Sequence, residues 1–162
     1  MSLISSRELI QAYGDPRINT SAWERQNMRY YRVPGFIKEK NPFLPNIIYM
    51  HREFIDVVDV WLTALTFGDL IKEIKTYDGC WNVRNKRGQS TLSVHAFGMA
   101  IDFNATHNPF KLTREQAIER GLKPFSKEFI KVSRSYMDCG ADWRTTPDGM
   151  HFQIKRIDAI QS

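Results

Sequence analysis

The chain has 162 residues, 42% of them hydrophobic and 25% charged, which is ordinary globular material rather than a disordered tract. Its length fits one compact domain over residues 1–162 with a real core, and no run of about 18 apolar residues is present to span a membrane. The net charge of +5 is compatible with nucleic acid, an anionic membrane or an anionic polymer, but the Lys and Arg residues are scattered and form no stripe, which argues against nucleic acid.

The N-terminal Met-Ser-Leu-Ile-Ser-Ser-Arg-Glu has no basic segment followed by an apolar one, so the product is expected to stay in the cytoplasm until something releases it. The two cysteines, Cys80 and Cys139, form no CxxC and read as buried reduced thiols.

In chain order, Ser5-Ser6-Arg7-Glu8 has the pattern of a capping box, with Leu9, Ile10 and Tyr13 on one helix face and Gly14 as the stop. Residues 15–50 lack periodicity and carry four prolines; they read as extended loop with short strands, forming a wall of a binding cleft. Residues 51–66 predict a helix, because Phe54, Val57, Val58, Trp61, Leu62 and Leu65 make a continuous apolar stripe that Gly68 ends. Residues 70–74 fit a helical turn or a strand equally well. Asp78-Gly79 signals a turn, and residues 80–84 then predict a strand.

Residues 99–103 are apolar apart from Asp102 and predict a core strand. Thr113-Arg114-Glu115-Gln116 is a second capping box, opening a short helix that stops at Gly121. Ser126 caps a further helix, with Phe125 and Ile130 as its hydrophobic staple and Gly140 just past its end. In the last predicted strand, residues 150–155, Met150, Phe152 and Ile154 face one side, His151 and Gln153 the other. Helices and strands mixed in this irregular way give an α+β class, a small mainly antiparallel sheet with flanking helices.

Two stretches carry chemistry. His95 and Asp102 are seven residues apart, a spacing that suits a turn entering a strand and not one face of a helix. Gly98 between them marks a tight bend or a close backbone approach. An ionised Asp102 inside an apolar run is costly unless it is paired or binds a cation. His151 lies on the last strand, three residues after Asp148 in a Pro147-Asp148-Gly149 turn. Two imidazoles and one carboxylate leave an open position, the donor set of a catalytic zinc, and Asp148 is a spare carboxylate able to act as base and then acid. There is no HExxH, so helix-borne zinc-peptidase geometry is excluded. His51 and His107 lack such surroundings and read as ordinary.

The stretch Ser93-Val94-His95-Ala96-Phe97-Gly98-Met99-Ala100-Ile101-Asp102 resembles the SxHxxGxAxD motif of the D-alanyl-D-alanine carboxypeptidase and phage L-alanyl-D-glutamate endopeptidase superfamily. Gly140-Ala141-Asp142-Trp143 followed by Asp148-Gly149-Met150-His151-Phe152 resembles its second motif. Residues 79–84, with Arg87-Gly88, resemble the segment upstream of the first. The resemblance covers residues 70–155 as a core and leaves 1–69 as N-terminal helices and cleft wall.

It implies the hedgehog/DD-peptidase fold, a Zn2+ held by His95, Asp102 and His151, and Asp148 as the catalytic carboxylate. An arginine before the first motif would hold the oxyanion, Arg84 being preferred and Arg87 the alternative. Arg87, Ser93 and Trp143 are implied as substrate contacts. Gln153 stands where relatives often carry glutamate, which leaves Asp148 without a rival as base. The implied substrate is the peptidoglycan peptide stem, cut at L-alanyl-D-glutamate by a monomeric phage endolysin that reaches the periplasmic wall on release. A D-alanyl-D-alanine carboxypeptidase is the alternative within the enzyme class. A zinc-stabilised module that binds a wall or protein without catalysis is the alternative outside it. Manganese or cobalt could replace zinc in vitro.

Overall fold

The computed structural model describes residues 2–157. Its elements are α1 (Ser6–Tyr13), α2 (Thr20–Asn27), β1 (Met28–Arg32), α3 (Gly35–Lys40), β2 (Ile47–His51), α4 (Ile55–Phe67), β3 (Tyr77–Gly79), β4 (Ala100–Phe103), α5 (Arg114–Glu119), α6 (Lys127–Ser133), β5 (Asp138–Cys139) and β6 (His151–Gln153). Strands β1 and β2 pair antiparallel as one small sheet; a four-stranded antiparallel sheet runs in the order β3-β4-β6-β5. The α+β class expected from the sequence is what the chain adopts. Among the described residues no helix is long and apolar enough to cross a membrane.

The capping patterns act as read. Ser5 and Glu8 exchange hydrogen bonds at the start of α1, Thr113 and Gln116 do the same for α5, and the Ser126 side chain accepts from Phe129 N–H at the start of α6. The stripe of α4 is buried through Phe54, Val58, Trp61, Leu62 and Leu65.

Trp61 is the hinge between helices and sheet. Its ring lies 4.9 Å from that of Phe152 and 5.9 Å from that of Phe103, and its indole N–H donates to Ser133 Oγ on α6 at 2.9 Å. Phe125 and Phe129 close on Phe152 from the α6 side. Each buried phenylalanine contributes about 1.5–3 kcal/mol of transfer free energy. One face of the large sheet is therefore sealed by helices.

The structure departs from the sequence expectations in four places. Asp78-Gly79, expected as a turn, belongs to β3, where Gly79 at φ 127° takes up a register irregularity against β4 and pairs with Asp102. Residues 15–50 contain two helices, α2 and α3, as well as the short strands. Asn19, in the left-handed region at φ 50°, caps α2 by accepting from Ala22 N–H. Residues 80–84 form no strand, because their polar groups are used on the turn at residues 94–97: Asn82 N–H donates to the His95 carbonyl and Trp81 Nε1–H to the Ala96 carbonyl. Helix α6 stops at Ser133, well before Gly140; the chain turns there and adds β5 to the sheet edge. The ambiguous residues 70–74 form a 3-10 turn, Ile71–Glu73.

His51 is more than an ordinary histidine. It is fully buried, its ring 4.3 Å from Tyr13 and 6.0 Å from Trp23, and its Nδ1 accepts from Glu53 N–H. Burial, reinforced by Arg52 and Arg29, lowers its pKa to about 3. An unfolded chain takes up this proton near the ordinary value of 6.5, so the stability from neutral His51 is complete above that pH and declines as pH falls toward 3. Thermal melts between pH 7 and 4 should show the wild type losing stability faster than His51→Phe; parallel curves would remove His51 as the cause.

Candidate metal centre

Period-two alternation along β6 sends Phe152 into the core and His151 and Gln153 to the opposite face. On β4, Asp102 is paired directly with His151 and Ala100 with Gln153. Directly opposed residues of an antiparallel pair share a face, so Asp102 and His151 are neighbours by register alone. His95 joins them from a 3-10 turn, Val94–Phe97, between Ser93 as cap and Gly98 as stop. Gly98 has φ 67°, and a Cβ there would lie 2.9 Å from His51 N and 2.7 Å from the Met28 side chain. The tight bend and the close backbone approach expected at Gly98 are both present.

His95 Nε2 and His151 Nδ1 each lie 3.2 Å from the same oxygen, Asp102 Oδ1. One ligand-capable atom from each of the three residues falls within 4.8 Å of the others, so the cluster could hold a metal ion. The remaining ring nitrogens are committed. His95 Nδ1 is 2.7 Å from the Cys80 carbonyl, which accepts only, and therefore carries the proton there; its Nε2 lone pair is left for the cluster. His151 Nε2 is 2.8 Å from Gln153 Oε1 and donates to it, which frees Nδ1. Outer partners that set the tautomer of both rings are a mark of metal-ligating histidines.

The electrostatics agree. Burial pushes the Asp102 carboxyl upward, but hydrogen bonds to His151 and His95 outweigh it and hold Asp102 ionised far below the usual range. Burial lowers the His151 pKa, yet Asp102 raises it further, so the net shift is upward.

Asp148 sits beside the cluster in the turn before β6, with Asp148 N–H donating to the Gly140 carbonyl at 2.8 Å. Its Oδ1 is buried without a hydrogen-bond partner among the described residues. Burial, with a contribution from the Asp102 charge, raises its pKa, against the opposing pull of His151 and Arg87.

The cluster opens into a cleft of about 860 Å³. Arg84, Arg87, Ser93 and Trp143 all line it, as do Phe110, Lys111 and Gln153. Ser93 is buried and its Oγ accepts from His95 N–H at 3.2 Å, so it also shapes the turn carrying His95. Trp143 lies 5.2 Å from the His151 ring. Arg84 donates to the Asn85 carbonyl, while Arg87 sits over the Phe110 ring. The Gln153 and Cys80 partners escaped sequence reasoning. The alternation of β6 did place Gln153 beside His151, whereas nothing local marks the Cys80 carbonyl.

Two histidines and an aspartate converge in a cluster that could hold a metal ion, with the half-buried carboxylate of Asp148 alongside. Residues 87–154 match the model of a family described as D-alanyl-D-alanine carboxypeptidase. The matched segment is somewhat under half of the chain and contains His95, Asp102, Asp148 and His151; it supports the same zinc peptidase superfamily as the motifs. No curated protein and no solved structure matches the chain.

Two outcomes follow from this geometry. A methyl group on Gly140 would lie 2.2 Å from the Asp148 carbonyl oxygen, so Gly140→Ala should move the Asp148 turn and cost about 1–3 kcal/mol in denaturant unfolding. Metal affinity, read by chelator competition, should fall as pH drops, because the cluster must lose the proton that Asp102 favours on His151. An affinity independent of pH between 5 and 8 would contradict the assignment of His151 as a ligand.

Proposed function

We propose that the chain is a zinc-dependent peptidase that cuts the peptide stem of peptidoglycan, in the manner of a phage endolysin acting between L-alanine and D-glutamate. The observation that carries this reading is the half-buried Asp148 beside the His95–Asp102–His151 cluster, with its Oδ1 shielded from solvent and without a hydrogen-bond partner among the described residues. A binding module has no use for a desolvated carboxylate with a raised pKa, whereas hydrolysis needs a group that takes up and returns a proton.

The residues fit zinc: two imidazole nitrogens with their tautomers set, one carboxylate oxygen, and a cleft on the open side. When bound, zinc supplies a Lewis acid that polarises the amide carbonyl and acidifies water. Asp148 removes one proton from the attacking water as its oxygen joins the carbonyl carbon. It delivers that proton to the amide nitrogen as the C–N bond breaks. An arginine of the cleft, Arg84 or Arg87, stabilises the charge that develops on the carbonyl oxygen. Ser93 and Trp143 contact the peptide. On this reading the enzyme accumulates in the cytoplasm of the producing cell and meets the periplasmic wall after release.

The second reading is a D-alanyl-D-alanine carboxypeptidase, favoured by the description of the matching family. A muropeptide digest followed by mass spectrometry separates the two. Cleavage between L-alanine and D-glutamate is expected; loss of a single D-alanine would establish the carboxypeptidase. Asp148→Asn should retain metal and lose about 10²–10⁴-fold in turnover. Bound metal with no hydrolysis of any wall fragment by the wild type would leave a binding module.

A further inference from the structure

We propose that Gln153 binds the substrate: its side-chain amide N–H donates to a backbone carbonyl of the peptide, beside the amide that is cut, and sets the register in which the peptide lies. The proposal rests on the peptidase reading above.

A glutamine side chain carries an oxygen that accepts and a nitrogen that donates two hydrogens. The oxygen is taken: His151 Nε2 lies 2.8 Å from Gln153 Oε1. His151 Nδ1 is turned to Asp102. With Nδ1 as a metal ligand the ring hydrogen resides on Nε2, and a protonated ring carries one there as well. In either state Nε2–H donates to Oε1, which decides the end of the amide that faces His151. The nitrogen end is left over.

Nothing in the protein takes it up. The bond to His151 is the one hydrogen bond of the Gln153 side chain among the described residues. Of the two residues directly opposite it, Ala100 on β4 has only a methyl group, and Asp138 on β5 makes no hydrogen bond with it. Yet Gln153 is only 3% exposed. A donor held so far out of water without an acceptor costs the free energy of a lost hydrogen bond. The amide nitrogen is not sealed in, however. Among the described residues the buried polar side-chain atoms without partners are His51 Nε2 and Asp148 Oδ1, and Gln153 lines the cleft. A ligand in the cleft supplies the acceptor that the protein withholds.

The chemistry around Gln153 selects that acceptor. The amide is neutral and Asp102 lines the same cleft, so an anion here meets repulsion where a peptide carbonyl does not. Nor is it the carbonyl under attack. The two ring nitrogens of His151 point away from each other, one to Asp102 and one to Gln153, so the ring stands between Gln153 and the cluster. Strand β6 is paired on both sides, by β4 and by β5, which holds the donor in place before the peptide arrives. A glutamate at position 153 would keep the acceptor for His151 and lose the donor.

That difference makes the test. Synthetic stem peptides carry a single thioamide, a weaker acceptor, at each peptide bond flanking the one that is cut. Binding is measured by titration calorimetry with the zinc-loaded full chain carrying Asp148→Asn, hydrolysis with the zinc-loaded wild type, and zinc affinity by chelator competition. One thioamide position should weaken binding about three- to tenfold. The penalty should vanish in Gln153→Glu and in Gln153→Met. Zinc affinity should be kept in Gln153→Glu and fall about tenfold or more in Gln153→Met. The glutamate variant alone decides the donor if the methionine variant fails to fold.

Equal affinity for every thioamide peptide, a penalty that persists in both variants, or no binding at all would overturn the proposal. So would a zinc loss in Gln153→Glu as large as in Gln153→Met, since the amide would then face His151 with its nitrogen. Hydrolysis of all the peptides with equal kcat/KM would refute the donor and leave the peptidase standing. A Gln153-dependent penalty without hydrolysis of any peptide would uphold the donor and refute the peptidase.

Discussion

The pairing of Asp102 with His151 across β4 and β6 is the constraint on which the rest of this structure turns. Register in an antiparallel pair is all or nothing: a slip by one residue would turn His151 into the aromatic core and Phe152 into the cleft. The packing of Phe152 against Trp61, Phe125 and Phe129 therefore fixes the register, and the register fixes the cluster. Hydrophobic burial on one face of the sheet becomes chemical precision on the other. His95 is added by a separate device, a short turn whose cap, stop and ring partner are all supplied within residues 80–98.

Charge is distributed around this centre in a consistent way. Asp102 survives as an anion in a largely apolar strand because two imidazoles share one of its oxygens. Asp148 has no such partner and is left desolvated, which suits a group that must exchange a proton. Arg84, Lys86, Arg87, Lys111 and Arg144 line the same cleft. A half-buried carboxylate, a carboxylate held by two imidazoles and several cationic side chains share one cleft because burial and hydrogen bonding set each charge apart.

Much of this was legible from residues alone, for identifiable reasons. Capping boxes at Ser5 and Thr113 are written in four consecutive residues, and the stripe of α4 repeats over three turns. The alternation of β6 announced its two faces. Arg84, Arg87, Ser93 and Trp143, singled out by the motifs, line one cleft together with the cluster. Helices α2 and α3 were not legible, because they bury so few side chains that no stripe develops: only Trp23 and Asn27 on one, Ile37 on the other. Residues 80–84 look like a strand, and only the long-range demand of the His95 turn for their polar groups prevents it.

The two histidines differ in what holds their second nitrogen. His95 leans on a backbone carbonyl, which every amino acid at position 80 would supply. His151 leans on the side chain of Gln153, which a single codon change could replace. The electron-donating strength of one imidazole is thus frozen into the fold, while that of the other is open to variation. Position 153 is therefore where the basicity of His151 can be altered from the cleft face of β6, opposite the face on which Phe152 packs into the aromatic core.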